Sequence, residues 1–191
     1  MMVNLAISSI QDRNENVTTI LDRKVVLDPF CGVGTILAEA MTMGYEVVGT
    51  DMSEAAIQKS QKNLEWLKAN YQFPMTNFQL FQMDATHISE KIAQESVDAI
   101  VTEPYLGPAE WGRRLEIKNM ILGLDKLYIG CLREWRKILK TGGTVVMAFP
   151  SFMINKQEFF VKKALDSCED LGYTLEIGPL TYSRPQAVVK R

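Results

Sequence analysis

Short apolar runs of strand length alternate along the chain with longer segments whose apolar positions recur every three or four residues. That alternation is the signature of βαβ units built on a parallel sheet. Runs at 24–28, 46–50, 78–83, 97–102 and 144–149 predict five successive strands. Between them, helices are predicted over 35–43, from Ser53 onward, over 87–93 and over 118–139. In the second helix Ile57, Ser60, Leu64, Leu67 and Tyr71 share a face, and in the last Ile121, Leu124, Tyr128, Leu132, Trp135 and Ile138 do so. Gly44 is placed to end the first helix and Ser53 to cap the second. A further helix is expected over 156–171, followed by strand-like pieces at 174–177 and 186–190. With no helix between them these must pair antiparallel, since a parallel return needs a crossover of about a dozen residues. The expected fold is α/β, a seven-stranded, mostly parallel sheet with a reversed last strand and helices on both faces.

Length and composition narrow the function classes. At 191 residues the chain suits one domain, expected over 1–191 with 1–23 as a helical lead-in. A hydrophobic fraction of 47% with 23% charged residues belongs to a folded globular protein. No apolar run is long enough for a membrane helix and residues 1–10 lack the layout of a secretory signal, so a cytoplasmic protein is expected. Lys+Arg 21 against Asp+Glu 23 leaves a net charge of −2, without the basic excess of a self-sufficient nucleic-acid binder; a local basic patch remains open. Cys31, Cys131 and Cys168 are scattered and His87 stands alone, so neither a disulfide framework, nor a metal site, nor a His-based triad is expected.

The chemistry-bearing residues fall at the carboxyl ends of successive strands, where an open α/β sheet holds its ligand. Asp28 with Gly32 and Gly34, then Asp51, Asp84 and Glu103-Pro104-Tyr105 mark strands one to four. A glycine turn of this kind also serves purely steric ends, and a lone acid after a strand is commonly a helix cap. Together, with Asp51 standing 23 positions after Asp28, they match the spacing at which an acid reaches ribose hydroxyls. The turn holds an acid and no Lys or Arg, which disfavours a phosphate and favours a ligand carrying an amine or sulfonium. S-adenosylmethionine fits that description better than a dinucleotide or a P-loop ligand.

The run Val26-Leu27-Asp28-Pro29-Phe30-Cys31-Gly32-Val33-Gly34-Thr35 resembles the first motif of class I S-adenosylmethionine-dependent methyltransferases. The version is that of the RNA guanine-N2 methyltransferases usually fused to a THUMP domain. The resemblance continues through Val48-Gly49-Thr50-Asp51-Met52-Ser53, Asn63-Leu64, Asp84-Ala85, Val97 to Tyr105, Leu139-Lys140-Thr141-Gly142-Gly143 and Tyr182-Ser183-Arg184-Pro185-Gln186. It covers nearly the whole chain, so no THUMP domain is expected within it. It implies a Rossmann-like methyltransferase fold, S-adenosylmethionine as cofactor and a tRNA guanine N2 as acceptor. Asp28, Phe30, Gly32, Gly34 and Thr35 would then surround the methionine end and Asp51 the ribose. Met52, otherwise an ordinary core methionine, would pack on adenine, with Asp84 and Ala85 beside it.

Strand four departs from the family pattern. Members normally read Asp-Pro-Pro-Tyr, whose acid and proline carbonyl accept from the target amine while the aromatic ring stacks on the base. Here Glu103 replaces the acid, Pro104 is kept, Tyr105 takes the second proline's place and Leu106 the aromatic's. Glu103, Pro104 and Tyr105 are the expected catalytic residues, with Tyr105 supplying the ring one position early. The following Trp111, Arg113, Arg114 and Lys118 suit an RNA backbone and an unstacked base, or simply a solvated helix start. Arg184 either reaches the same cleft or holds the last hairpin by a salt bridge. Related motifs also serve DNA amino-methyltransferases and protein-glutamine methyltransferases, and the irregular Glu103-Pro104-Tyr105-Leu106 raises a non-catalytic subunit as a further alternative. If RNA is the substrate, recognition falls to this patch or to a separate RNA-binding or activating subunit.

Overall fold

A computed structural model describes residues 2–4, 6, 24–71, 77–108, 114–154 and 156–175. Strands β1 (Val25–Asp28), β2 (Glu46–Asp51), β3 (Phe78–Gln82), β4 (Val97–Thr102) and β5 (Leu139–Met147) form one parallel sheet in the order β3-β2-β1-β4-β5. The crossovers carry α1 (Thr35–Thr42), α2 (Glu54–Asn70) and α3 (Arg114–Ile138).

Helices cover both faces, so the central strands are apolar at consecutive positions. Val26, Ala99 and Val101 pack with Leu37, Met41 and Leu64 of α1 and α2, together with Val3 and Ala6 from the helical residues near the N-terminus. Leu27 and Ile100, one residue out of phase, pack with Leu132, Trp135 and Ile138 of α3. All six residues of β4 are buried. The one charge in that strand, Asp98, accepts from the Val25 N–H at 2.9 Å and from Lys140 Nζ at 2.8 Å, with Lys24 at 3.6 Å, so its burial is compensated. Ser53 Oγ accepts from the Ala56 N–H at the start of α2. The end of α1 is closed by Gly44 N–H to Met41 O and Tyr45 N–H to Ala40 O, a Schellman pair.

Several expectations need correction. The described sheet has five strands, not seven. The segment expected as one helix over 156–171 instead opens with β7 (Gln157–Phe160), which pairs antiparallel with the preceding β6 (Ser151–Ile154) apart from the main sheet, and is helical only over α4 (Lys162–Asp166). Phe152 pairs with Phe159, and both pack against the cluster that holds Ile117, Ile121, Leu124 and Tyr128, so tertiary burial overrides the helical spacing. Of the expected antiparallel ending, Thr174 and Leu175 have no regular structure, while the reversed strand at 186–190 lies outside the described residues. The Thr141-Gly142-Gly143 turn sits inside β5 as an irregularity, because Val97 pairs with Leu139 but Ala99 with Thr144. The short helix expected over 87–93 is a single 3₁₀ turn, Ile88–Glu90. Among the described residues no helix is long and apolar enough to cross a membrane.

Candidate active site

The strand order reverses at β1, because β2 and β3 lie on one side of it and β4 and β5 on the other. A crevice must therefore open between the carboxyl ends of β1 and β4. A cleft of about 380 Å³ lies there, lined by Asp28, Phe30 and Cys31 after β1, Thr35, Ile36 and Glu39 of α1, Glu103 after β4, and Met2. Three of its eight lining residues are acids and none is Lys or Arg.

Asp28 is the deepest of these acids, 2% exposed, and its Oδ1 accepts from Thr102 Oγ1 at 2.7 Å and from the Phe30 N–H at 3.1 Å. Burial raises its pKa to about 7, outweighing those two bonds, and the charges of Asp51 and Glu103 push the same way. A cation in the cleft would favour the ionised form of Asp28. The residues thus fit an amine- or sulfonium-bearing ligand and oppose a phosphate.

The turn after β1 is set by its glycines. Gly34 lies at φ +85°, and a Cβ there would stand 2.5 Å from Ser60 Oγ of α2. Gly34→Ala therefore combines left-handed strain with a clash, and should cost about 2–3 kcal/mol, read as a lower thermal midpoint. Gly32 lies at φ +53°, but a Cβ on it would meet nothing within 4 Å, so the backbone there borders open space where a ligand can approach. Asn63 Nδ2 donates to the Val33 carbonyl at 2.9 Å and secures the turn from α2.

Asp51, at the end of β2, has a second duty. Its Oδ2 accepts from the Gly32 N–H at 3.0 Å and its Oδ1 from the Ser53 N–H at 2.8 Å, so the carboxylate ties β2 to the glycine turn. Each oxygen keeps a further lone pair for a ligand hydroxyl. Met52 is 68% exposed, not a core methionine, and its carbonyl accepts from Gln82 Nε2. Beyond β3, Asp84 accepts from the Thr86 N–H and Oγ1, both at 2.8 Å; the backbone bond leads in holding its pKa below the usual carboxylate range. Ala85 is buried and its carbonyl accepts from Trp135 Nε1 at 3.2 Å.

After β4, Glu103 is half-buried, Pro104 buried and Tyr105 56% exposed, with the Tyr105 carbonyl held by Tyr128 Oη at 2.7 Å. Glu103 thus joins Asp28, Phe30 and Thr35 in one cleft, while Asp51, Met52 and Asp84 sit at the ends of the two strands on the β1 side. Trp111, Arg113 and Arg184 lie outside the described residues, as does the Arg114 side chain; its backbone opens α3. Met2, Cys31, Ile36 and Glu39 were not expected as lining residues. Ile36 and Glu39 follow Thr35 on one helix face, the available signal for them. Cys31 is buried and its thiol is pushed up to about 12, chiefly by burial, which makes it inert packing.

Residues 20–179 match the family described as "Methyltransferase domain". The tRNA (guanine(10)-N2)-dimethyltransferase of Methanothermobacter thermautotrophicus is 34% identical over 128 residues, 67% of this chain and 33% of that protein. The human U6 snRNA (guanine-N(2))-methyltransferase THUMPD2 is 30% identical over 124 residues, 64% of this chain and 21% of that protein. The chain thus spans a third or less of the length of these relatives. Among solved structures, a ribosomal protein L11 methylase from Lactobacillus delbrueckii subsp. bulgaricus superposes with a TM-score of 0.58 at 14% identity, covering 95% of this chain and 73% of that one, a likeness of fold.

Proposed function

The chain belongs to the methyltransferase domain family, and on that premise we propose that it transfers a methyl group from S-adenosylmethionine to an exocyclic amine of an RNA base, guanine N2 above all. The observation that carries this reading is the cleft between β1 and β4, acidic and without Lys or Arg among the described residues that line it, with Glu103 of the Glu103-Pro104-Tyr105 loop in its wall. The choice of acceptor rests on the relatives: one is named for tRNA and another for U6 snRNA, yet both are named for guanine N2. What they share is the acceptor atom rather than the RNA.

When bound, S-adenosylmethionine supplies an electrophilic methyl group on a sulfonium. Asp28 provides the buried negative charge opposite that cation, with Phe30, Gly32, Gly34 and Thr35 enclosing the methionine end. Asp51 offers its remaining lone pairs to the ribose hydroxyls, already oriented by the Gly32 and Ser53 N–H groups. Asp84 accepts from the adenine amine beside Ala85, and Met52 covers the adenine face. Glu103 and the Pro104 carbonyl accept the N–H bonds of the target amine, which aims its lone pair and gives its surplus proton a carboxylate to go to. The exposed Tyr105 ring receives the unstacked base. Positioning of this kind is most of what an in-line transfer requires. RNA recognition would fall to the segment with Trp111, Arg113 and Arg114 or to a separate RNA-binding or activating subunit.

The test is transfer of radiolabelled methyl from S-adenosylmethionine into RNA, DNA and protein pools, followed by digestion and identification of the labelled product. Label in N2-methylguanosine is expected. Label in DNA adenine or protein glutamine would move the acceptor, and cofactor binding without transfer to any pool would leave a non-catalytic subunit.

Affinity for the cofactor should also depend on pH. The ionised form of Asp28 is the one that a cation favours, and its pKa stands at about 7. Binding must then release a proton below that pH, so affinity should fall about tenfold from pH 8 to pH 6, measured by calorimetry in buffers of different ionisation enthalpy. Stability runs the other way. A carboxyl whose folded pKa lies above its unfolded 3.8 favours folding at low pH, a contribution lost as pH rises from about 4 to about 7.

A further inference from the structure

Two loop carbonyls at strand ends are satisfied by a single helix. Tyr128 Oη donates to the Tyr105 carbonyl at 2.7 Å, and Trp135 Nε1 donates to the Ala85 carbonyl at 3.2 Å. Both side chains are fully buried, and neither lines the cleft. They stand seven residues apart on α3, about two turns, which puts them on one face roughly 10 Å apart along the axis. Each ring is held edge-on by another: Phe149 lies 5.6 Å from Tyr128, and Phe30, itself a cleft residue, lies 6.4 Å from Trp135. Between them the α3 backbone abuts the loop after β3, since a Cβ on Gly130 would come within 3.3 Å of Thr86 Cγ2.

Burying an apolar face on the sheet would have required only rings of the right size. The polar atoms of these two rings instead reach carbonyls of two different site loops, and each bond fixes the loop backbone that accepts it. From this arrangement we infer that Tyr128 and Trp135 are positioning residues, through which α3 sets the spacing between the acceptor loop after β4 and the adenosine loop after β3. Tyr128 acts on the register of Glu103 and Pro104 through the Tyr105 backbone. Trp135 acts on Asp84 through Ala85 and on the turn after β1 through Phe30. The consequence for turnover rests on the methyl-transfer reading above; the consequence for the loops does not.

The experiment compares Tyr128→Phe, which removes one hydroxyl, with Trp135→Phe, alongside the unaltered chain. Hydrogen exchange followed by mass spectrometry reads the two loops separately. Tyr128→Phe should speed exchange about fivefold over 103–107 and leave 84–87 unchanged, while Trp135→Phe should do the reverse. In kinetics, Tyr128→Phe should lower kcat roughly 10- to 100-fold with cofactor affinity within about twofold. Trp135→Phe should weaken the cofactor about fivefold with kcat at saturation nearly unchanged. Benzothienylalanine at position 135, which exchanges the indole N–H for sulfur at constant shape, separates the lost bond from any cavity in the core. Equal loosening of both loops by both variants, or of neither, overturns the inference and leaves the two rings as ordinary core. If the unaltered chain transfers no methyl group to RNA, the methyl-transfer reading falls by itself, and the crossed exchange pattern still decides this one.

Discussion

Glu103→Ala is expected to lower kcat for methyl transfer by about 10²–10³ while leaving cofactor affinity within about threefold. Glu103 follows β4 and lines the cleft with Asp28, on the side from which an amine would enter. Removing it takes away the group that orients the lone pair and receives the proton, both of which matter only as the bond forms. The cofactor contacts proposed above follow β1, β2 and β3 and would survive. One small compensation is built in: Glu103 contributes to the raised pKa of Asp28, so its loss makes Asp28 easier to ionise and offsets the missing charge. Glu103→Asp separates two accounts of this unusual residue. If the loop after β4 is set for the longer acid, with the Tyr105 carbonyl fixed by Tyr128, the shorter one will sit about an ångström short and lose at least tenfold in kcat. A gain in rate would mean that Glu103 is a misfit at an aspartate position. Activity in Glu103→Ala equal to that of the unaltered chain would remove Glu103 from the chemistry.

The largest effect on binding belongs to Asp51. In the proposed site Asp51→Ala should weaken the cofactor by about 2–4 kcal/mol, roughly 30- to 700-fold, because two charge-assisted bonds to ribose hydroxyls would be lost. The structure adds a reason for the upper end of that range. The same carboxylate holds the Gly32 and Ser53 N–H groups, so the variant also frees the glycine turn and the entry to α2. Asp51→Asn keeps one acceptor oxygen and the shape, and should recover part of the loss. Calorimetric titration of the three proteins, with thermal midpoints measured alongside, distinguishes ligand contact from turn collapse. An Asn variant as weak as the Ala variant but thermally unchanged would assign the whole effect to the negative charge.

The central sheet was legible because burial on both faces makes β1, β2 and β4 nearly continuous apolar runs, and an acid at the end of such a run is a visible break. Asp28, Asp51 and Glu103 stood out for that reason. The hairpin at 151–160 was not legible. Phe159, Phe160, Val161, Ala164, Leu165 and Cys168 recur at helical spacing, and only the packing of Phe152 and Phe159 beside α3 makes the first part a strand. The double duty of Asp51 depends on the distance between two neighbouring strand ends, which no local pattern records. Helical spacing puts Tyr128 and Trp135 on one face of α3, and both are buried. Hydrophobic periodicity counts their rings and is blind to the hydroxyl and N–H at their tips, which is where their further role lies.

The account depends most on the crevice between β1 and β4 being a cofactor site, and calorimetric titration of the unaltered chain with S-adenosylmethionine at pH 8 tests this directly. One-to-one binding with a dissociation constant in the micromolar range is the predicted result. Absence of heat up to high micromolar ligand, at more than one temperature, would contradict it.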